Sequence, residues 1–124
     1  MSWPPQIGQL LPRAEEAVGV RYKLATYSLD PDHRFGGPKA QGFARILGIT
    51  PASIDYLEAQ IHAGIRVHPI AAVVENRPYG LNCVVEFPLR GVGAYRHRTA
   101  NLRTIWEVHG LVHAPRLINA FLKV

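Results

Sequence analysis

Leu29-Asp30-Pro31-Asp32-His33-Arg34-Phe35-Gly36-Gly37-Pro38-Lys39-Ala40 is the stretch on which the reading of this 124-residue chain turns. Pro31 and the Gly36-Gly37 pair resist any regular element, so the first part must be a structured loop. Pro38 then suits the first helical position, where a missing N–H is no loss. Gly37 becomes the cap, and Lys39 falls in the first turn. A cation there opposes the helix dipole unless the site receives something negative. Exposed N–H groups plus a lysine at a helix start form a corner suited to phosphate. The plainer reading, a solvated surface loop, is the commoner fate of such a segment.

The pattern extends outward from that helix start. Ala40, Phe43, Ala44 and Leu47 form one apolar stripe, and Gly48 stands just past its end. Thr50-Pro51 signals a second start, cap plus first-position proline. Ile54, Leu57, Ile61 and Ile65 then recur at helical spacing up to His68-Pro69. His62, Arg66 and His68 read as helix-surface residues, and Gly64 weakens the helix by about 1 kcal/mol relative to Ala. Toward the N-terminus, Leu24 and Tyr27 have helical spacing while Val20, Tyr22 and Leu24 alternate. A short helix is expected over 21–28, preceded by a helical turn from Pro12 through Glu15 and Glu16. Residues 1–12 are Pro-rich and read as an extended arm.

After Pro69 the period changes to two. Ile70 to Glu75 reads as a strand, Asn76-Arg77-Pro78-Tyr79-Gly80 as a turn, and Leu81 to Leu89 as a second strand. A turn at Gly91-Val92-Gly93 leads into a long third strand, Ala94 to His109. A loop over Gly110 to Ala114 precedes the fourth strand, Pro115 to Lys123. Short connections imply antiparallel neighbours. Helices first and strands afterward predict a single α+β domain over 13–124. Its helices (13–68) pack on one face of a four-stranded antiparallel meander (70–123).

Composition agrees with a globular domain: 48% hydrophobic residues, 19% charged. The formal charge is +5, the pI about 9.8, and 11 of the 14 basic residues are Arg. Arg presents a planar fork that fits phosphate, so the balance leans toward an anionic partner. The lone Cys83 excludes an internal disulfide and reads as a small core residue. No apolar run approaches the roughly 20 residues that span a bilayer. The start lacks the features of a secretion signal. The six His do not cluster and no CxxC exists, so no metal site or cofactor is expected.

Alternation sorts the third strand into two faces. Ala100, Leu102, Thr104, Trp106 and Val108 make the core side. His97, Thr99, Asn101, Arg103, Ile105, Glu107 and His109 make the open side, joined there by Asn82, Val84 and Glu86. Leu117, Asn119, Phe121 and Lys123 fit the same side and offer an aromatic ring for a base. Such a row can run metal-free RNA cleavage by the 2′-hydroxyl, which needs a base, an acid and cations for the phosphorane charge. Glu107, His97, His109 or His33 suit the first two roles, Arg103 and Lys39 the third. A wet sheet face with weak cross-strand charge pairs explains the same inventory.

Several segments together carry a resemblance. They are Leu11-Pro12-Arg13-Ala14-Glu15-Glu16-Ala17, Lys23-Leu24 with Tyr27, Leu29-Asp30-Pro31-Asp32-His33, Gly37-Pro38-Lys39-Ala40 with Phe43, and Leu47-Gly48. Arg103-Thr104-Ile105-Trp106 and Pro115-Arg116-Leu117-Ile118 complete the set. From Leu11 to Leu122 the chain resembles an uncharacterised bacterial family, found as small solitary proteins, in phage head-morphogenesis proteins and at the ends of polymorphic toxins. Its order of elements is similar to the barnase–EndoU–colicin–RelE class of metal-independent ribonucleases. One departure is Asp30, where members tend to carry Asn.

The resemblance implies a ribonuclease toxin. Its matching residues His33, Lys39, Arg103, Thr104 and Arg116 become candidates, with Thr104 reaching a phosphate at a strand break despite its inward parity. The expected catalytic set is His33, Lys39, Arg103, Thr104 and Glu107. The expected RNA-holding set is Lys23, Arg34, His97, Arg116 and Phe121. Partners would be RNA and an acidic antitoxin or immunity protein, acting in the cytoplasm or in a cell into which a longer toxin delivers the domain. The alternatives are a non-catalytic RNA- or protein-binding module and an antitoxin, against which the basic pI counts. The ribonuclease reading requires Lys39 and Arg103 to share one groove.

Overall fold

The computed structural model describes residues 3–75 and 80–123. A 3₁₀ turn (Ala14–Glu16) precedes α1 (Val20–Lys23), which runs on as a π-helical stretch over Leu24–Ser28. Then come α2 (Gly37–Leu47), a 3₁₀ turn (Pro51–Ser53) and α3 (Ile54–Ile65). β1 (Ile70–Glu75), β2 (Leu81–Arg90), β3 (Thr99–Val108) and β4 (Arg116–Lys123) complete the order. The four strands form one antiparallel sheet in sequence order. The fold is α+β, as the change of period predicts. The turn expected at Asn76–Tyr79 lies outside the described residues.

The core lies between the helices and one sheet face. Val85, Phe87, Leu102, Trp106 and Val108 supply the sheet side; Leu24, Phe43, Leu47, Leu57 and Ile61 supply the helix side. Each such burial contributes about 1.5–3 kcal/mol. Cys83 is buried there, and burial pushes its thiol up to about 11. α2 ends at Gly48, whose φ of 68° is left-handed and lets its N–H reach back to Ala44 O. Gly64 costs α3 helix propensity for a packing reason: a Cβ there would overlap the Phe87 ring. His68 stacks on the same ring, centroids 5.2 Å apart, so it is more than a helix-surface residue.

Three expectations are corrected. First, β3 begins at Thr99, not Ala94. Residues 93–95 form a 3₁₀ turn, and the loop docks onto α2 through Val92 N–H to Leu47 O (2.9 Å). His97 is therefore an exposed turn residue, off the sheet face. Second, the register of β4 shifts at Ile118: Ile105 opposes Asn119, yet Trp106 opposes Leu117. One extra residue flips side-chain parity, so Leu117 is buried in the core while Asn119, Phe121 and Lys123 keep the open side. Third, the N-terminal segment is no free arm from Gly8 onward. Gly8 and Gln9 exchange backbone hydrogen bonds with Ile70, and Leu11 belongs to the core.

Candidate nucleic-acid interface

The loop quoted at the outset is held by two close approaches. Gly36 lies so near the Tyr27 carbonyl that any Cβ would collide with it. His33 turns its ring back: Nδ1 accepts the N–H groups of Phe35 (3.0 Å) and Gly36 (3.0 Å). The Gly37 N–H goes to His33 O (2.8 Å). His33 thus braces the turn that leads into α2, whose own N-cap residue, Gly36, has no side-chain cap. The N–H groups of Phe35, Gly36 and Gly37 are therefore engaged inside the chain and are not free for the expected phosphate corner. The brace also fixes the His33 tautomer, since an accepting Nδ1 carries no proton and leaves the N–H at Nε2.

Lys39, freed from that corner, reaches sideways. Its Nζ donates to Tyr27 Oη (2.8 Å) and stands 4.7 Å from the Tyr27 ring centroid. The same ammonium lies 5.3 Å from the Phe121 ring. Lys23 Nζ is 5.4 Å from the Tyr27 ring, and the His33 ring meets it edge-on at 4.7 Å. Among the described residues Lys39 has a phenol and two rings as company, not a carboxylate. Arg34 lies outside this group, over the exposed Phe35 ring at 5.2 Å.

Phe121 joins the helix to the sheet. It opposes Arg103 across the β3–β4 ladder. Arg103 Nε donates to Glu86 Oε2 (2.6 Å), and Lys123 Nζ lies 3.6 Å from the same oxygen. The hydrogen bond from Arg103 is the main cause holding the Glu86 carboxyl below its ordinary range. Lys39 and Arg103 therefore share an aromatic neighbour instead of a groove: the cleft beside Lys39 is walled by α2 and β4, without Arg103.

The remaining candidates are separated from this place. Glu107 lies four residues along β3 from Arg103, about 13 Å at strand spacing. It accepts from Arg116 Nη2 (2.9 Å) and pairs with His109 Nε2 (2.9 Å). The His109 hydrogen bond, then that of Arg116, holds the Glu107 carboxyl low. Thr104 is fully buried. Its hydroxyl donates to Val85 O (2.8 Å) and accepts from Trp106 Nε1 (2.8 Å), so it cannot reach a phosphate. His97 sits past the C-terminal end of α2, about one helix length from Lys39. Of the ten expected residues, the structure gathers Lys23, His33, Lys39, Phe121 and Arg103. Tyr27, the hub of the group, was missed as a functional residue; its signal was the i, i+4 spacing from Lys23.

A family model described as a domain of unknown function, DUF6883, matches residues 10–124. The chain belongs to the DUF6883 family. No curated protein and no solved structure matches this DUF6883 domain. A larger cavity, about 590 Å³, lies between residues 10–15, Arg66 and Leu111. No expected site residue lines it, and its Arg13 is tied to Glu16 and the Val112 carbonyl. The Tyr27 group is the better candidate because it combines cations, aromatic rings and the Lys39–Tyr27 hydrogen bond. No described helix is long and apolar enough to cross a membrane.

Proposed function

We propose that this domain binds RNA at the surface running from Tyr27 and Lys39 across Phe121 to Arg103, and that it cleaves the strand by 2′-hydroxyl attack with the two cations placed on either side of Phe121, in place of the single groove expected from the sequence. The observation that carries the proposal is the Lys39 ammonium, held between the Tyr27 and Phe121 rings with no carboxylate among the described residues to neutralise it. A cation set among aromatic faces matches a polyanion that also displays flat bases. Lys39 and Arg103 hold phosphate and offset the charge of the phosphorane. His33 Nε2–H and the Tyr27 hydroxyl are the donors at hand to protonate the leaving 5′-oxygen, while the 2′-hydroxyl gives its proton to solvent water. A basic toxin of this kind acts in the cytoplasm and is restrained by an acidic protein over the same surface.

One observation favours a non-catalytic RNA-binding module instead. The carboxylates of the two central strands are both engaged, Glu86 by Arg103 and Lys123, Glu107 by Arg116 and His109. The test is incubation of the purified protein with total RNA in excess chelator, followed by gel and end analysis. Fragments ending in cyclic phosphate are expected, and both Lys39→Ala and Arg103→Ala should abolish them while remaining folded. Salt-sensitive binding without fragments selects the binding module. Neither binding nor fragments removes RNA from the account.

A further inference from the structure

A cleft of about 210 Å³ opens beside Lys39, between one side of α2 and the end of β4. Its walls include Lys39, Gly42, Arg45 and Ile46 from α2, and Phe121 and Leu122 from β4. The volume is below the ~300–1,000 Å³ of sites that enclose a whole drug-sized ligand. It suits one ring and the group attached to it. Among the described residues, two cations and no carboxylate line it, which suits an anionic attached group.

Gly42 is the second observation, independent of the first. It lies in the interior of α2, where glycine is the poorest helix former after proline. Elsewhere in this chain glycine answers a need: Gly48 has positive φ, Gly36 meets the Tyr27 carbonyl and Gly64 meets Phe87. Gly42 has no positive φ, and, its own helix backbone and chain neighbours aside, no described atom lies within 4 Å of where a Cβ would stand. Alanine would fit and would strengthen the helix. Gly42 lines the cleft, so the open space beside it borders the cleft.

We infer that the cleft is a nucleobase subsite, in which a base stacks on Phe121 over the bare backbone of Gly42 while its phosphate is held by Lys39 and Arg45. This rests on the RNA reading above and adds where a base is held and what keeps the place open. Stacking on an aromatic face accepts any base, so the subsite grips the ring without reading its edge.

The test uses the full chain and two fluorescent oligomers of equal length. One is a 2′-O-methyl oligouridylate, which cannot undergo 2′-hydroxyl attack; the other is its abasic counterpart. The wild type should bind the base-bearing oligomer roughly fivefold to hundredfold more tightly, the span expected for stacked bases. Gly42→Leu should fill the cleft and bring both affinities to the abasic value. Gly42→Ala should melt higher than the wild type yet bind the base-bearing oligomer more weakly, an opposition that a purely structural glycine does not give. Equal binding of both oligomers by the wild type, or a preference that survives in folded Gly42→Leu, overturns the subsite and leaves the RNA reading standing. Binding of neither oligomer overturns both.

Discussion

Arg103 and Phe121 face each other across the β3–β4 ladder, and the Lys39 ammonium lies 5.3 Å from the same phenyl ring. Two cations from distant parts of the chain are thus linked through one aromatic side chain on a sheet edge. That edge is where α2 packs, and Val18 extends its other end by a parallel bridge to Arg116.

His33 has two separable jobs, brace of the turn and proton donor. His33→Ala is expected to lower stability by about 1 kcal/mol, because it leaves the N–H groups of Phe35 and Gly36 without their acceptor. His33→Asn supplies a short side-chain oxygen in the same place and should restore most of that loss while leaving cleavage absent. Chemical denaturation and the RNA gel read the two effects separately. Cleavage retained by His33→Asn would reduce the residue to a brace.

Thr104 belongs to the core, so its replacement should injure the fold and spare the interface. Thr104→Val keeps the shape but leaves Trp106 Nε1 without its acceptor and Val85 O without the hydroxyl. An unsatisfied buried donor costs about 1–3 kcal/mol. Urea denaturation should find a loss in that range, with RNA affinity unchanged at temperatures where the variant is folded. Weakened RNA binding by a fully folded Thr104→Val would put the residue back at the site.

Acid should weaken the domain through Glu86 and Glu107. The folded state holds both carboxyls below the ordinary value of 4.5, chiefly by hydrogen bonds from Arg103 and His109 respectively. As pH falls through that range the unfolded chain takes up these protons first. The stabilisation is therefore full above the unfolded value and lost as pH drops through the lower folded one. Both pairs are partly exposed, so each contributes about 1 kcal/mol or less. Urea midpoints should stay level in these terms above about pH 5 and fall below it. Glu86→Gln should flatten part of that acid limb; an unchanged limb would deny the Arg103 pair any energetic role.

Gly64→Ala tests the fit of α3 on the sheet. Helix propensity alone favours alanine by about 1 kcal/mol. The Cβ, however, would overlap the Phe87 ring, and overpacking a filled core costs about 1–3 kcal/mol. Net destabilisation is expected in thermal melts. A higher melting temperature would mean that Phe87 moves aside freely.

Local signals determined much of this protein. Pro38 and Gly48 bracket α2, Thr50-Pro51 announces α3, and the change from helical to alternating spacing at Pro69 sets helices before strands. These are readable because capping, proline geometry and side-chain periodicity act within a few residues. Tertiary structure alone decided the rest. The extra residue at Ile118 turned Leu117 inward, and the docking of residues 91–98 on α2 took His97 off the sheet. Only the packing of α2 against β4 brought Lys39 between Tyr27 and Phe121. Parity errors of one residue and contacts across 82 positions, from Lys39 to Phe121, leave no periodic trace in the chain. They follow from how separate elements share one core, and no short stretch of sequence carries that information.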